Sequence, residues 1–335
     1  MSTQDHWMVT LQSIYYPVLA AVGIPSNILT FLIFWKRNCM LSRSSTFYLM
    51  AISVSDTLVL VLIVVLELTL KYYTEEPFWS HEPWCSLRDI FTYGAYNTST
   101  WLVVGLTAER FVAINTVALK AKLCTRRCTL RVITAVVLLS FLCTIPFYWS
   151  NSSVFIAQEG RWVCVYKRAA SDLYVQALVW SQTVLVYILP YLIIFSLNGL
   201  TMRLIARSNR VHVVAEPGAG PQKAVPLLRA RKRKSVVLLV TVSMSFALLT
   251  VTRFVTQIAL RTPRHYGEDR NDYSDVVNVA ADVGTMLSLS NAAVNMYLYA
   301  CTQPRFRREV AACVRLVLPP PKPRPSAAAT VTCHV

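Results

Sequence analysis

Apolar residues run in long blocks along this chain rather than alternating at short period. Charge-free stretches occupy residues 14–35, 90–108, 132–149, 173–202, 235–252 and 283–304, and 46–70 carries only Asp56 and Glu67. A helix needs about 20 mostly apolar residues to cross about 30 Å of hydrocarbon. The pattern therefore predicts seven spanning helices, at about 13–36, 45–71, 86–115, 129–149, 171–207, 227–261 and 273–302. The third is the least apolar, because 90–108 is rich in hydroxyl and amide side chains. Residues 1–12 are polar and show no cleavable signal pattern, so they read as an extracellular N-terminus. Residues 303–316 read as an amphipathic helix lying along the membrane. The proline-rich stretch 317–335 reads as a disordered cytoplasmic tail. The fold class that follows is an all-α membrane protein, a seven-transmembrane helix bundle with a short amphipathic helix after span seven.

Composition agrees with that pattern. Of 335 residues, 55% are hydrophobic and only 15% are charged. One soluble core of this size cannot hide so much apolar surface. Nine cysteines, scattered over the chain, do not make a secreted disulfide scaffold.

The net charge of +16 first suggests nucleic acid, but the positions decide otherwise. Most of the basic residues fall between spans one and two, three and four, five and six, and after span seven, while Glu75, Glu76, Glu82, Glu268, Asp269, Asp272 and Asp275 fall on the opposite side. Basic loops stay inside the cell, which places the N-terminus outside and the C-terminus inside a plasma membrane. Dispersal over four segments also argues against a nucleic-acid partner. The basic third inner loop suits acidic partners and anionic membrane lipid.

Some polar residues sit where lipid would otherwise be. Glu109-Arg110-Phe111 closes span three at the inner face. A charge pair at membrane depth is costly and is usually functional, although an arginine at a helix end can also snorkel. Asp56, Asn27, Ser99, Asn291 and Asn295 lie within spans and should face one another. Their oxygens could hold a sodium ion at Asp56, or they could close a structural network around a protonated carboxyl. Cys85, at the outer start of span three, and Cys164, in the second outer loop, both face an oxidising compartment, so a disulfide is the expected pairing. Asn151-Ser152-Ser153 is an outward-facing glycosylation sequon at Asn151, and Cys313 ends the amphipathic helix as a candidate lipidation site.

These residues, in this order, resemble the rhodopsin-like, class A, G-protein-coupled receptors. The resemblance rests on Asn27, the LMAISVSD run ending at Asp56, Cys85, Glu109-Arg110-Phe111, Pro190, the segment from Asn295 to Tyr299, and Arg305-Phe306-Arg307-Arg308. It covers all seven spans. The runs NTSTWLVVGLTAERF, FLCTIPFYW, YILPYLIIFSLNG and LSNAAVNMYLYACTQPRFR look closest to an orphan-type branch that senses aromatic amino acids, near the peptide receptors. Asn198 and Met296 fit that branch, where most of the class has tyrosine and proline.

The likeness implies a receptor for an extracellular small molecule or peptide, with an aromatic amino acid-like ligand in view. It implies a heterotrimeric G protein as inner partner, met by Glu109, Arg110, Phe111 and Tyr299. It places the ligand among Glu67, Asp89, Thr92, Tyr93, Tyr96, Arg253, Gln257, Asp282 and Thr285. Arg253 could grip a carboxylate or an amide carbonyl, or pair internally with Asp282 or Glu67. Thr92 stands where amine receptors, and the amino-acid-sensing relatives, carry an acid; Glu67 or Asp89 would have to substitute.

Span six departs from the class, with Thr250 for its tryptophan and Thr252 for its proline. No Asp or Glu occurs from Pro217 to His265, so Arg110 has no acidic lock on that helix. Raised basal signalling follows if nothing else restrains span six. A seven-span protein that binds ligand with weak or no G-protein signalling is the second reading, and a transporter ranks below it because no internal repeat is visible. An intramembrane enzyme is excluded, since all five histidines fall in loops or tails and no paired catalytic set lies within the spans. No cofactor beyond the possible sodium ion is expected.

Overall fold

A computed structural model describes residues 6–36, 41–115, 117–157, 160–167, 171–214, 224–260 and 272–317. The third inner loop around Glu216–Pro221 and the tail beyond Val317 lie outside the described residues. Helix α1 spans Trp7–Lys36, α2 Arg43–Tyr73, α3 Trp84–Asn115, the short α4 Val117–Leu123, and α5 Arg126–Leu142. Helix α6 runs over 172–214, α7 over Ala224–Ala259, α8 over Val276–Thr302 and α9 over Pro304–Val317. The seven spans are α1, α2, α3, α5, α6, α7 and α8. Five of the helices are long and apolar enough to cross a membrane by composition alone. Spans three and seven are the exceptions; they carry Ser99, Glu109, Arg110, Asn291 and Asn295 among the buried polar residues of the bundle.

Polarity is arranged inside out, as a lipid solvent requires. Span one buries Gln12, Tyr16, Ala20, Gly23, Asn27, Thr30 and Phe34 at steps of three and four. It exposes Ile14, Val18, Val22, Leu32 and Trp35. Span one begins at Trp7, so 7–12 are helical.

Hydroxyl and carboxylate caps start spans two, four, five and seven. Ser42 accepts from the amide of Ser45, Thr125 from that of Cys128, Ser171 from that of Tyr174, and Asp275 from that of Val277. Each cap satisfies one of the orphan amides at a helix N-terminus. The α-helical part of span four ends at Leu142, within a span that runs to Trp149. Thr144 and Pro146 pass the chain into a 3₁₀ turn, Ile145–Trp149.

Two features carry no clear sequence signal. Span two widens into a π-wound stretch, Leu60–Thr69, and span five does so over Val184–Ile188. The second outer loop folds as a hairpin of β1, Asn151–Ile156, and β2, Arg161–Tyr166, with Ser153 opposite Cys164. Gly160, at φ 64°, turns its tip in the left-handed region that glycine occupies freely.

Span six is unbroken, in keeping with the missing proline. It lies so close to span seven that a Cβ on Gly284 would stand 2.8 Å from the Arg253 backbone nitrogen. Only glycine fits that approach. The inner core gathers Phe34, Tyr48, Leu102, Leu106, Phe246, Tyr299 and Phe306. Phe306, fully buried, anchors α9 against Phe34 and Tyr299.

Candidate functional site

Three polar assemblies sit on the axis of the bundle. At the inner end, Glu109 and Arg110 are both buried. Arg110 donates to Glu109 from Nε at 2.5 Å and from Nη2 at 2.6 Å, a bidentate clamp within span three. Span two completes it. Ser45 donates to Glu109 at 3.2 Å, and Arg110 Nη2 donates to Ser42 Oγ at 2.7 Å. The residue that caps span two thus also holds the arginine. Phe111 follows on the same helix, half-buried, and Tyr299 is fully buried, with no acceptor for its hydroxyl among the described residues.

In the middle lies Asp56, wholly buried. Ser99 donates to its Oδ1 at 2.5 Å and Asn295 donates to its Oδ2 at 2.6 Å. Asn27 donates to the Ala292 carbonyl at 2.7 Å, one turn before Asn295, and its own Oδ1 has no partner among the described residues. Asn291 is buried on the same span. Spans one, two, three and seven are joined by this set. Its donor chemistry fits a hard cation, with carboxylate, hydroxyl and amide oxygens. Asn295 would have to turn its carbonyl, in place of its NH₂, toward the ion.

At the outer end the expected ligand residues differ in how fully the protein engages them. Asp89 is engaged: Arg88 Nε donates to it at 3.1 Å and Asn151 Nδ2 at 2.7 Å. Asp282 is engaged by Gln12 Nε2 at 2.7 Å and by the Tyr273 hydroxyl at 2.8 Å. Tyr93 packs against Phe147 at 4.7 Å between ring centres, and Thr285 donates to the Ala281 carbonyl of its own helix. Asp89, buried, and Asp282, half-buried, are thus both held by protein donors.

Arg253 and Glu67 are less fully engaged, and Tyr96 lies beside Arg253. The Arg253 guanidinium stacks over the Tyr96 ring, 5.3 Å from its centre. Its Nε and Nη1 are buried and meet no acceptor among the described residues. Tyr96 itself is linked to Ser288 of span seven. Glu67 makes no hydrogen bond among the described residues, and with Thr92 it lines an open space between spans two and three. It lies close enough to Arg253 to interact with it electrostatically. Gln257 is half-buried one turn beyond Arg253.

The disulfide is present. Cys85 and Cys164 are joined, with their Cα atoms 5.5 Å apart, tying β2 to the start of span three. Asn151, the expected glycosylation site, is 2% exposed and donates its amide to Asp89. Cys313 is half-buried against the inner core. Sequence reasoning did not find Ser42, Ser45 or Asn151 as partners. Serine just before a helix signals a cap, but not the distant charge it also holds.

The fold and these assemblies define a seven-helix membrane receptor. The family described as "7 transmembrane receptor (rhodopsin family)" matches residues 26–299, and the chain belongs to it. It is accordingly a multi-pass plasma-membrane receptor and not an enzyme. Among its relatives is the mouse "Probable G-protein coupled receptor 142", 26% identical over 303 residues, covering 89% of this chain and 71% of the relative. The "C5a anaphylatoxin chemotactic receptor 1" of Oncorhynchus mykiss is 22% identical over 303 residues, covering 89% and 79%. The mouse "Neurotensin receptor type 1" is 28% identical over 233 residues, covering 64% and 51%.

Proposed function

We propose that this receptor binds an extracellular ligand with a carboxylate or amide carbonyl at one end and a hydrogen-bond donor at the other, and that binding activates a heterotrimeric G protein. An aromatic amino acid, or a small molecule or peptide end resembling one, has this chemistry. The observation that carries the reading is Arg253, a buried guanidinium stacked on Tyr96 with two donor nitrogens unmatched. A buried charged donor without an acceptor is costly, and an anionic or carbonyl group on a ligand would satisfy it bidentately. Glu67 then takes the donor end. It is the acid left free, where Asp89 is already held by Arg88 and Asn151. Tyr96 offers a ring face beside both.

At the inner face, ligand-driven movement of span six would open a groove beside Arg110 for an amphipathic helix of the G protein. A sodium ion at Asp56, held by Ser99 and a turned Asn295, would favour the closed bundle. S-acylation at Cys313 would fix α9 to the membrane.

The test is calcium and cyclic-nucleotide recording from cells expressing the chain, exposed to aromatic amino acids and short amidated peptides. A response that disappears in Arg253→Ala and in Glu67→Ala, at preserved surface expression, is expected. Arg110→Ala should bind ligand without signalling. A response indifferent to Arg253 and Glu67 overturns the ligand placement. The second reading, ligand binding without signalling, is favoured by Thr250 and Thr252. It predicts labelled-ligand binding with every signalling channel silent.

A further inference from the structure

Arg110 is held from two directions. Glu109 grips it within span three. A partner on the same helix travels with the arginine, so it cannot fix the guanidinium relative to the rest of the bundle. Ser42 can, because it stands at the head of span two and accepts from Arg110 Nη2 at 2.7 Å. A hydrogen bond restrains a charge only when its far end is itself anchored. The head of span two is anchored on several sides. Ser42 accepts from the Ser45 amide at 3.2 Å, as the cap of the helix. Ser45 turns its own hydroxyl to Glu109 at 3.2 Å. Buried Ser44 meets buried Thr129 of span four at 2.7 Å, and the Arg126 guanidinium lies over the Phe47 ring at 5.6 Å. Spans two, three and four are thus pinned together around the arginine.

The bond to Ser42 is also built to open. Arg110 is buried, whereas Ser42 is exposed at the inner face. Water takes the place of the arginine donor there, and the cap bond to Ser45 does not depend on Arg110. Release therefore strands no buried acceptor on span two. From the other side, span six supplies no carboxylate, since no Asp or Glu occurs from Pro217 to His265. We propose that Ser42 is a positioning residue of the resting receptor: its hydroxyl ties Arg110 to span two, and activation requires that tie to break. This role rests on the G-protein reading of Arg110.

The experiment separates the tie from the cap. Aspartate caps a helix as well as serine does, and glycine nearly as well, whereas alanine does not. Ligand-free activation of each Gα class is recorded in cells at matched surface expression. Ser42→Gly should raise it roughly threefold to tenfold, with the melting temperature of the purified full chain close to parental. Ser42→Thr, which keeps the hydroxyl, should restore the parental level. Asn198→Leu with Thr250→Val removes two hydrogen bonds between spans five and six and supplies an active background. Adding Ser42→Asp to it should lower the signal roughly threefold or more, because a carboxylate holds a guanidinium more strongly than a hydroxyl does. A residue that only capped span two would leave that signal unchanged. A melting-temperature double-mutant cycle over Ser42→Gly and Arg110→Leu reads the bond without any G protein, and it should be non-additive. Should Arg110→Leu fail to fold, the signalling series decides by itself. A parental level in Ser42→Gly while the span-five and span-six double variant is active, an unchanged signal on adding Ser42→Asp, or an additive cycle overturns the proposal. A non-additive cycle with every variant silent would support the tie and strike the G-protein reading instead.

Discussion

At the residue scale, single polar atoms at membrane depth decide most of what this receptor can do. Asn151 is the clearest case. Its amide closes the coordination of a buried carboxylate, Asp89, across the outer face. Replacing it by alanine leaves that carboxylate short of a donor, which costs about 1–3 kcal/mol. Asn151→Ala should therefore lower the melting temperature and surface expression. N-glycosidase treatment of the parent should release no glycan from Asn151; a mass shift at that residue would show that the loop folds otherwise. Cys124 is the second case. It follows α4 at the cytoplasmic end of the bundle and donates to the Glu109 carbonyl. Burial pushes its thiol up to about 11, and the nearby Glu109 carboxylate adds to the rise. A raised thiol pKa means less thiolate at neutral pH, so alkylation of Cys124 at pH 7.5 should run roughly a hundredfold slower than at an ordinary cysteine. It should accelerate as the pH approaches 11, and Glu109→Gln should make it faster at every pH below that. Equal rates in parent and variant would remove the electrostatic cause. Neither effect was legible in the sequence. Asn151 matches a glycosylation pattern, and the carboxylate it donates to lies far away along the chain, where no local periodicity can point.

At the element scale, the question is what holds span six. Sequence alone leaves it without the proline, the tryptophan and any acid for Arg110, and on that footing basal signalling should be high. Packing supplies other restraints. Asn198 of span five donates to Ser243 at 2.6 Å, and both are buried. Tyr191 meets Thr250 at 2.7 Å, at the position where the class carries its tryptophan. Rings of Tyr187, Tyr191, Phe246 and Phe254 pack around this contact. Each buried neutral hydrogen bond contributes about 1 kcal/mol, so the two together shift a two-state equilibrium by about one to two decades. Basal signalling at matched surface expression should thus be near that of mock-transfected cells. Asn198→Leu with Thr250→Val should raise it about tenfold or more. Silence in the double variant, with ligand response intact, would place the restraint elsewhere. The spans themselves were readable because charge-free runs are long. The π-wound turns were not readable, since they arise from packing between helices and leave composition unchanged.

At the scale of the whole molecule, the outer loops and the bundle form one stabilised unit. The hairpin of the second outer loop was missed in the sequence because nothing in 151–166 alternates cleanly, and a two-stranded ribbon is marginal in water on its own. It persists here through ties from elsewhere. Cys164 is bonded to Cys85. Glu82 accepts from the Ser153 amide at 3.1 Å, and Glu76 accepts from the Trp162 amide at 3.1 Å. His81 pairs with Glu76 at 3.1 Å. The first outer loop therefore clamps both strands, and the clamp sits over span three, where Asp89 and Asn151 meet. Loss of the disulfide alone should not free the ribbon completely, because the carboxylate clamps and the Asn151 bond remain. A native disulfide typically contributes about 2–4 kcal/mol, and removing both glutamate acceptors should expose the rest. Cys85→Ser with Cys164→Ser should lower the melting temperature while leaving a folded bundle. Adding Glu76→Gln and Glu82→Gln should then raise hydrogen exchange across β1 and β2 to the rate of a loop. Exchange that already reaches that rate in the disulfide-free form would mean that the covalent bond alone holds the lid. The ligand site beneath would then depend on one redox-sensitive link rather than on a network spread over two loops and a helix.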